Sequence, residues 1–398
     1  MSSHLKPDAF EPGQIVRKSF GLKKAIQEDL VRDYHSDIVQ KITSSGNVYT
    51  EKGVSFHLAS SFGFCYGVDR AVDLAYETRK RFPSKRIFLT AQIIHNPRVN
   101  HNLQEMGFYF LEDYNEVRPE DVVVLPAFGA TAAQIQTLKE KGCVIVDTIC
   151  GSVLNVWKRV ENYARSGFTA VIHGKYYHEE TQATSSRVLS YPNGRYLIVL
   201  NMEETNYVCD YIRGKGNREE FFKKFEKQVS DNFDPDIDLV HVGVANQTTM
   251  LMSESLAIAE ELKKALRDRY GAERLDDHFG NFDTICSATE DRQNAIVELL
   301  KEKLDLMVVI GGFNSSNTNN LAKMAATSVK TYHIEDAKHI ESAQMIRHKP
   351  IGLYETVTSE NWLPENPVNR PLHIGITSGA STPNQVMGEV VEKILSFR

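Results

Sequence analysis

The chain has 398 residues, 41% of them hydrophobic, and 46 Lys and Arg against 52 Asp and Glu give it a formal charge of −6. That length and apolar content suffice for two or three domains with sizeable cores. The acidic balance argues against a nucleic-acid partner, because phosphate backbones call for a clustered basic surface.

Residues 1–53 are polar, with a modest helical stripe at Ile26, Leu30 and Tyr34, and read as an N-terminal arm, an appendage or partner-contacting element. The stretch lacks the basic-then-apolar order of a secretory signal. With Asp8, Glu11, Glu28, Asp29 and Asp33 it also holds too many acids for a transit peptide. No apolar run approaches membrane-spanning length. The five cysteines, odd in number and not closely paired, point to a reducing cytosol and not to a disulfide framework.

From Val54 onward short apolar strands alternate with helices, the pattern of parallel sheets layered with helices. In GFCYGVDRA, Cys65 sits between Gly63 and Gly67, which clear space beside the thiol, and a helix follows through Val68, Ala71, Val72 and Ala75. A strand at Ile87–Leu89 leads to IIHNPRV, where Asn96 caps, Pro97 opens a helix and His95 stands at the mouth. VVVLPAFGAT repeats strand, small-residue loop and helix, with Gly142 as the stop. CVIVDTIC then delivers Cys150; Cys143, seven positions earlier, faces the other side of the strand and reads as a buried hydrophobe.

A helix over Val153–Ser166 and the strand TAVIHG run into KYYHEETQAT, which puts His178, Glu179 and Glu180 at a strand's C-terminal end. Helix capping is expected to occupy at least one of these acids and to leave the other for chemistry. Further on come a strand at Tyr196–Leu200, a helix over Glu203–Ile212 with Cys209 packed inside, and a charged run at 213–231 that reads as a solvated insertion. LVHVGVANQTTM, a helix over Ser253–Tyr270, FDTICSATEDR, LMVVIGGFNSSNTNN and LHIGITSGAST complete the chain.

Four loops, FGAT, NQTT, FNSSNTNN and SGAST, place hydroxyl and amide side chains before helices, where they form neutral anion sites. Ordinary capping competes as their role. Cys65, Cys150 and Cys286 each stand at a strand-to-helix junction in a different third of the chain, as a pseudo-threefold assembly with one central site would require. Structural zinc fits poorly, since it takes four ligands and commonly close cysteine pairs. A cubane cluster normally takes four cysteines, so three would leave one iron open to act as a Lewis acid. Spacing alone leaves open three unrelated buried cysteines; the repetition of DTIC at 147–150 and 283–286 favours a shared role.

GFCYGVDRA, IIHN, DTIC, HEET, NQTT, ICSATEDRQ, GGFNSSNTNN and ITSGASTP, in this order from about Ser55 to the C-terminus, make the chain resemble the 4-hydroxy-3-methylbut-2-enyl diphosphate reductase (LytB/IspH) family, in its longer cyanobacterial and plant branch. The resemblance implies an α/β fold of three pseudo-threefold-related α/β domains, a trefoil around a central iron–sulfur cluster. The units would span 54–150, 151–286 with the 213–231 insertion, and 287–398, with segments exchanged at their approximate boundaries. It implies a [4Fe–4S] cluster on Cys65, Cys150 and Cys286. The implied activity is reductive removal of the substrate's allylic hydroxyl to give isopentenyl and dimethylallyl diphosphates, the last step of the non-mevalonate isoprenoid pathway.

By motif, Glu180 and Thr248 would be catalytic, with Glu180 the proton source. His95, His178, Thr248, Thr249, Ser315, Ser316, Asn317 and Ser381 would bind substrate. Ferredoxin or flavodoxin would donate electrons, with no nucleic-acid or membrane partner, in the cytoplasm or, for a plant or algal source, the plastid stroma. Two departures stand out: Phe128 occupies a position where many bacterial members carry histidine, and Gly151–Ser152 follow DTIC where proline and a bulky residue are common. The competing readings are a three-cysteine dehydrating enzyme of the quinolinate synthase type, which would need more arginine in these loops, and a non-enzymatic phosphometabolite-binding protein with structural cysteines.

Overall fold

A computed structural model describes residues 10–281, 284–353 and 355–398. Three sheets carry the fold. The first has the order Ile15–Val16, Val144–Asp147, Val122–Leu125, Ile87–Leu89, Phe108–Phe110, with every pair parallel. The second runs Phe279–Asn281, Val242–Asn246, Thr169–His173, Tyr196–Val199, again all parallel. The third runs Thr331–Ile334, Leu306–Ile310, Leu372–Ser378, Val54–Leu58 in parallel and closes on an antiparallel edge strand, Val48–Glu51.

The central strands are apolar throughout, as VVVL at 122–125 and LMVVI at 306–310, because helices cover both faces of a parallel sheet. The alternating pattern therefore does report an α/β fold with parallel sheets. Local signals placed the helices well. Asn96 accepts from the Val99 N–H with Pro97 following, and Gly142 ends its helix at φ 74°. Cys143 and Cys209 are fully buried among apolar neighbours.

Two expectations need correction. Residues 10–50 are no appendage: Ile15–Val16 forms the edge of the first sheet, and Val48–Glu51 forms the edge of the third. The helix Lys23–Tyr34 buries Ile26 and Tyr34 in the same core as Val68, Ala71 and Val72. Its weak stripe is enough because only one narrow face is covered. The charged run at 213–231 is not simply solvated either. Helix Arg218–Phe225 turns Phe221 and Phe225 fully inward to join Val208, Cys209 and Ile212 while its charges face out.

Strand Val54–Leu58, which precedes Cys65 in sequence, pairs with Leu372–Ile376 of the third sheet. The chain thus leaves the third sheet, delivers Cys65, and only then builds most of the first.

Candidate active site

Cys65, Cys150 and Cys286 occupy the N-caps of helices Tyr66–Arg81, Gly151–Arg165 and Ser287–Leu299, each with extended backbone. A strand ends a few residues before each, so three helix N-termini aim at one place. All three thiols line a single cavity together with every other residue that the family motifs assigned to the site: His95, His178, Glu180, Thr248, Thr249, Ser315, Ser316, Asn317 and Ser381. Asp283, the first residue of the second DTIC, lies outside the described residues.

Gly67 explains the glycine flanks. A Cβ there would stand 2.4 Å from the Cys150 sulfur and 3.9 Å from that of Cys65, so the two thiols meet across a position that must stay bare. A Cβ at Gly151, by contrast, would meet nothing within 4 Å, and nothing in the structure explains why glycine replaces a larger residue there.

The thiols suit a cluster better than a single ion. Two thiolates on one tetrahedral zinc lie roughly 3.8 Å apart, given Zn–S bonds of about 2.3 Å. Among the described residues the three sulfurs do not all fall within 4.8 Å of one another. Burial pushes the Cys65 thiol up and that of Cys286 up to about 11, while the Val68 and Gly67 N–H groups at Cys65 and the Thr289 hydroxyl and N–H at Cys286 pull the other way. Ligation by a positively charged metal centre would relieve that opposition.

Glu180 is the one wholly enclosed carboxyl of the cavity. The Thr248 N–H donates to its Oε1 at 2.6 Å, which favours the carboxylate, yet desolvation dominates and raises its pKa to about 7. Neither acid of HEET caps the helix, contrary to expectation. His178 is the N-cap and its Nδ1 accepts from the Glu180 N–H, while Glu179 stands half exposed beside His95 and His178. Burial lowers the pKa of His178 to about 3 and that of His95 below its usual value, so both rings are neutral at pH 7.

The hydroxyl- and amide-bearing loops meet at the same cavity. Ser315 caps helix Ser316–Ala325 through the Thr318 N–H, and Asn317 Oδ1 accepts from the Ala380 N–H of the SGAST loop. Ser381 donates to the His95 carbonyl, which joins the third sheet's loops to IIHN. The His95 Nε2 and Asn317 Nδ2 atoms are buried with no partner. Such groups are costly unless something fills the cavity and bonds to them. FGAT contributes differently: Phe128 stacks on His95 with centroids 4.6 Å apart and planes 11° from parallel, so the phenyl ring fixes the imidazole in place.

Two residues escaped the sequence reading. Gln247 is buried and accepts from the Lys175 N–H and the Thr181 hydroxyl while donating to Thr249 and Ser316. Lys175, partly buried, donates to Ser316 Oγ at 3.2 Å and has no carboxylate within 4 Å among the described residues. Burial lowers its pKa. Its position two residues after the strand TAVIH was the available signal, but a lone lysine beside two tyrosines looks like a surface residue.

The LytB protein family model matches residues 56–395 of the chain. The chain is 50% identical to the 4-hydroxy-3-methylbut-2-enyl diphosphate reductase of Thermosynechococcus vestitus over 96% of its own length and 94% of that protein's. It is 46% identical to the Gloeobacter violaceus reductase over 96% and 92%. In fold it is similar to the solved E-1-hydroxy-2-methyl-but-2-enyl-4-diphosphate reductase of Plasmodium falciparum, with a TM-score of 0.62 over 85% of this chain and 86% of that one at 23% identity.

Proposed function

The chain belongs to the LytB protein family, and from that premise we infer that it is a 4-hydroxy-3-methylbut-2-enyl diphosphate reductase, the enzyme of the last step of non-mevalonate isoprenoid synthesis. The single observation that carries this reading from family to site is the meeting of three helix-capping thiols, a neutral-range carboxyl and three hydroxyl- and amide-rich loops in one cavity. On this reading the three sheets form a trefoil around that cavity.

A [4Fe–4S] cluster held by Cys65, Cys150 and Cys286 would relay the two electrons of the reduction from an external one-electron donor such as ferredoxin or flavodoxin and, at its iron without a cysteine, would supply a Lewis acid for the departing oxygen. The remaining tasks fall to side chains. Glu180, whose pKa burial raises to about 7, holds one proton, the one that leaves with the hydroxyl as water. The Thr248 N–H fixes Glu180 Oε1, and the Thr248 and Thr249 hydroxyls line the wall beside it.

The diphosphate group is taken up by Ser315, Ser316, Asn317, Ser381, His95 and His178. The unpartnered His95 Nε2 and Asn317 Nδ2 atoms gain acceptors in phosphate oxygens, and the N-terminus of helix Ser316–Ala325 adds its dipole. Lys175 supplies an ammonium bonded to Ser316 Oγ, and Lys349 holds the same loop through the Phe313 carbonyl and Asn319 Oδ1. Fixing the anionic end this way orients the allylic carbon for reaction.

Anaerobically reconstituted protein supplied with a strong one-electron reductant tests the reading. Consumption of 4-hydroxy-3-methylbut-2-enyl diphosphate with release of isopentenyl and dimethylallyl diphosphates, and a paramagnetic cluster signal that changes when substrate is added, are the expected results. A colourless protein that binds diphosphates but turns nothing over would leave a phosphometabolite-binding protein in its place.

A further inference from the structure

Arg292 belongs to the ATEDRQ segment, six residues past Cys286 on the helix that this cysteine caps. It is 3% exposed. Its guanidinium donates to the Ala288 carbonyl at 2.9 Å and, across 229 residues of chain, to the Gly63 carbonyl at 2.7 Å, just ahead of Cys65. Among the described residues no carboxylate lies within 4 Å of it, and its Nε has no hydrogen-bond partner. A buried, permanently charged group without a countercharge is among the most costly arrangements in a protein. Carbonyl dipoles offset only part of that cost.

The position of Arg292 joins two cysteines: the Gly63 carbonyl it binds lies two residues before Cys65, and Cys286 caps its own helix. Cys65 and Cys286 are the largest favourable electrostatic neighbours of Arg292, ahead of Asp291 and Asp69. With both cysteines as thiols the charge stays uncompensated; with both as thiolates around a metal cluster it has a partner. Arg292 also ties the loop of Cys65 to the helix of Cys286, so charge and geometry act on the same two ligands. Reduction adds a negative charge to any cluster held there, and a fixed cation nearby favours the reduced form.

We propose that Arg292 is the internal countercharge of the cluster site and raises the reduction potential of the cluster held by Cys65, Cys150 and Cys286. It is a positioning and tuning residue that touches neither the substrate nor the diphosphate loops. The inference rests on the cluster assignment above, and its test separates the two.

The test is a redox titration of anaerobically reconstituted holoenzyme, followed by paramagnetic resonance, on the native chain, Arg292→Lys, Arg292→Gln and Arg292→Met, with iron and sulfide counted per chain. Arg292→Lys keeps the charge without the planar fork, Arg292→Gln keeps a donor without the charge, and Arg292→Met keeps neither. Expected is a potential for Arg292→Lys near that of the native chain. For both neutral variants the reduction equilibrium constant should fall at least tenfold, about 59 mV for one electron. If the neutral variants hold no cluster while Arg292→Lys does, the charge is again what the site requires. Unchanged potentials in the loaded neutral variants overturn the proposal, as do equal shifts in all three or loss of the cluster in all three, since the fork and not the charge would then matter. A native chain that takes up no cluster overturns the cluster assignment instead.

Discussion

Glu180 joins a structural fact to a kinetic one. Its folded pKa of about 7 lies above the ordinary glutamate value of 4.5 because burial disfavours the carboxylate more than the Thr248 N–H favours it. A raised carboxyl pKa means that the protonated form is the one folding tolerates. Its favourable state is therefore fully present below about 4.5 and is lost as pH rises through 7. Two outcomes follow. Turnover should decline above pH 7 along one ionisation, and Glu180→Gln should cut kcat by roughly 100-fold or more with the cluster signal intact; a turnover rate held at the native level would remove Glu180 as proton source. The same variant should melt at a higher temperature than the native chain at pH 8 but not at pH 5, because the amide has no charge to desolvate.

Gly67→Ala should keep its far-ultraviolet circular dichroism yet bind little iron, since the new methyl would overlap the Cys150 sulfur; normal iron content would show that the thiols need not meet there. Lys175→Met should raise the Kd for inorganic diphosphate about tenfold, measured by calorimetry on the holoenzyme, with Lys175→Arg closer to native. Equal affinities in all three would place the ammonium outside the anion site.

Among the elements, the helix N-termini were the most readable from sequence. Asn96–Pro97, Thr131 with Gln134, and Ser315 each act on N–H groups two or three residues away, so the letters alone specify the bond. HEET was misread in detail because histidine is an uncommon cap, and only its ring's position against the Glu180 N–H reveals the role. The 213–231 segment was misread because its charges outnumber its two inward phenylalanines. Phe221 packs against Phe225 with centroids 4.8 Å apart and stacks on Phe233 at 6.0 Å. Phe221→Ala should therefore destabilise the protein by about 3–5 kcal/mol in denaturant titrations while cluster content stays native. A loss under about 1 kcal/mol would return the segment to the solvated insertion its composition suggested.

At the scale of the whole molecule, the N-terminal segment acts on the site from outside it. Ile15–Val16 extends the strand Val144–Asp147 that leads to Cys150, and Arg17 binds Asp147 at 2.7 Å. Buried Glu77, on the Cys65 helix, receives the Ser19 hydroxyl and the Phe20 and Leu22 N–H groups. Arg70, nearer Cys65 on the same helix, donates to the Arg17, Asp147 and Ile149 carbonyls. The segment thus clamps two cysteine-bearing elements together. Removal of residues 1–22 should lower the melting temperature and speed loss of iron to a chelator; an unchanged iron off-rate would limit the segment to sheet-edge protection. No helix among the described residues is long and apolar enough to cross a membrane.

The sequence by itself determined the α/β class, many of the helix starts, the three cysteine junctions and the polar loops ahead of the helices, because periodicity, caps and glycine punctuation act over a few residues. Tertiary structure decided what required partners from far along the chain. It set the ionisation of Glu180, governed by enclosure and by Thr248 68 residues away, and the bare space at Gly67 opposite Cys150. It also set the weaving of the N-terminus into two sheets and the burial of Arg292 beside Cys65 and Cys286. Desolvation and close contact depend on everything that surrounds a group, and in this fold most of those surroundings come from other sheets.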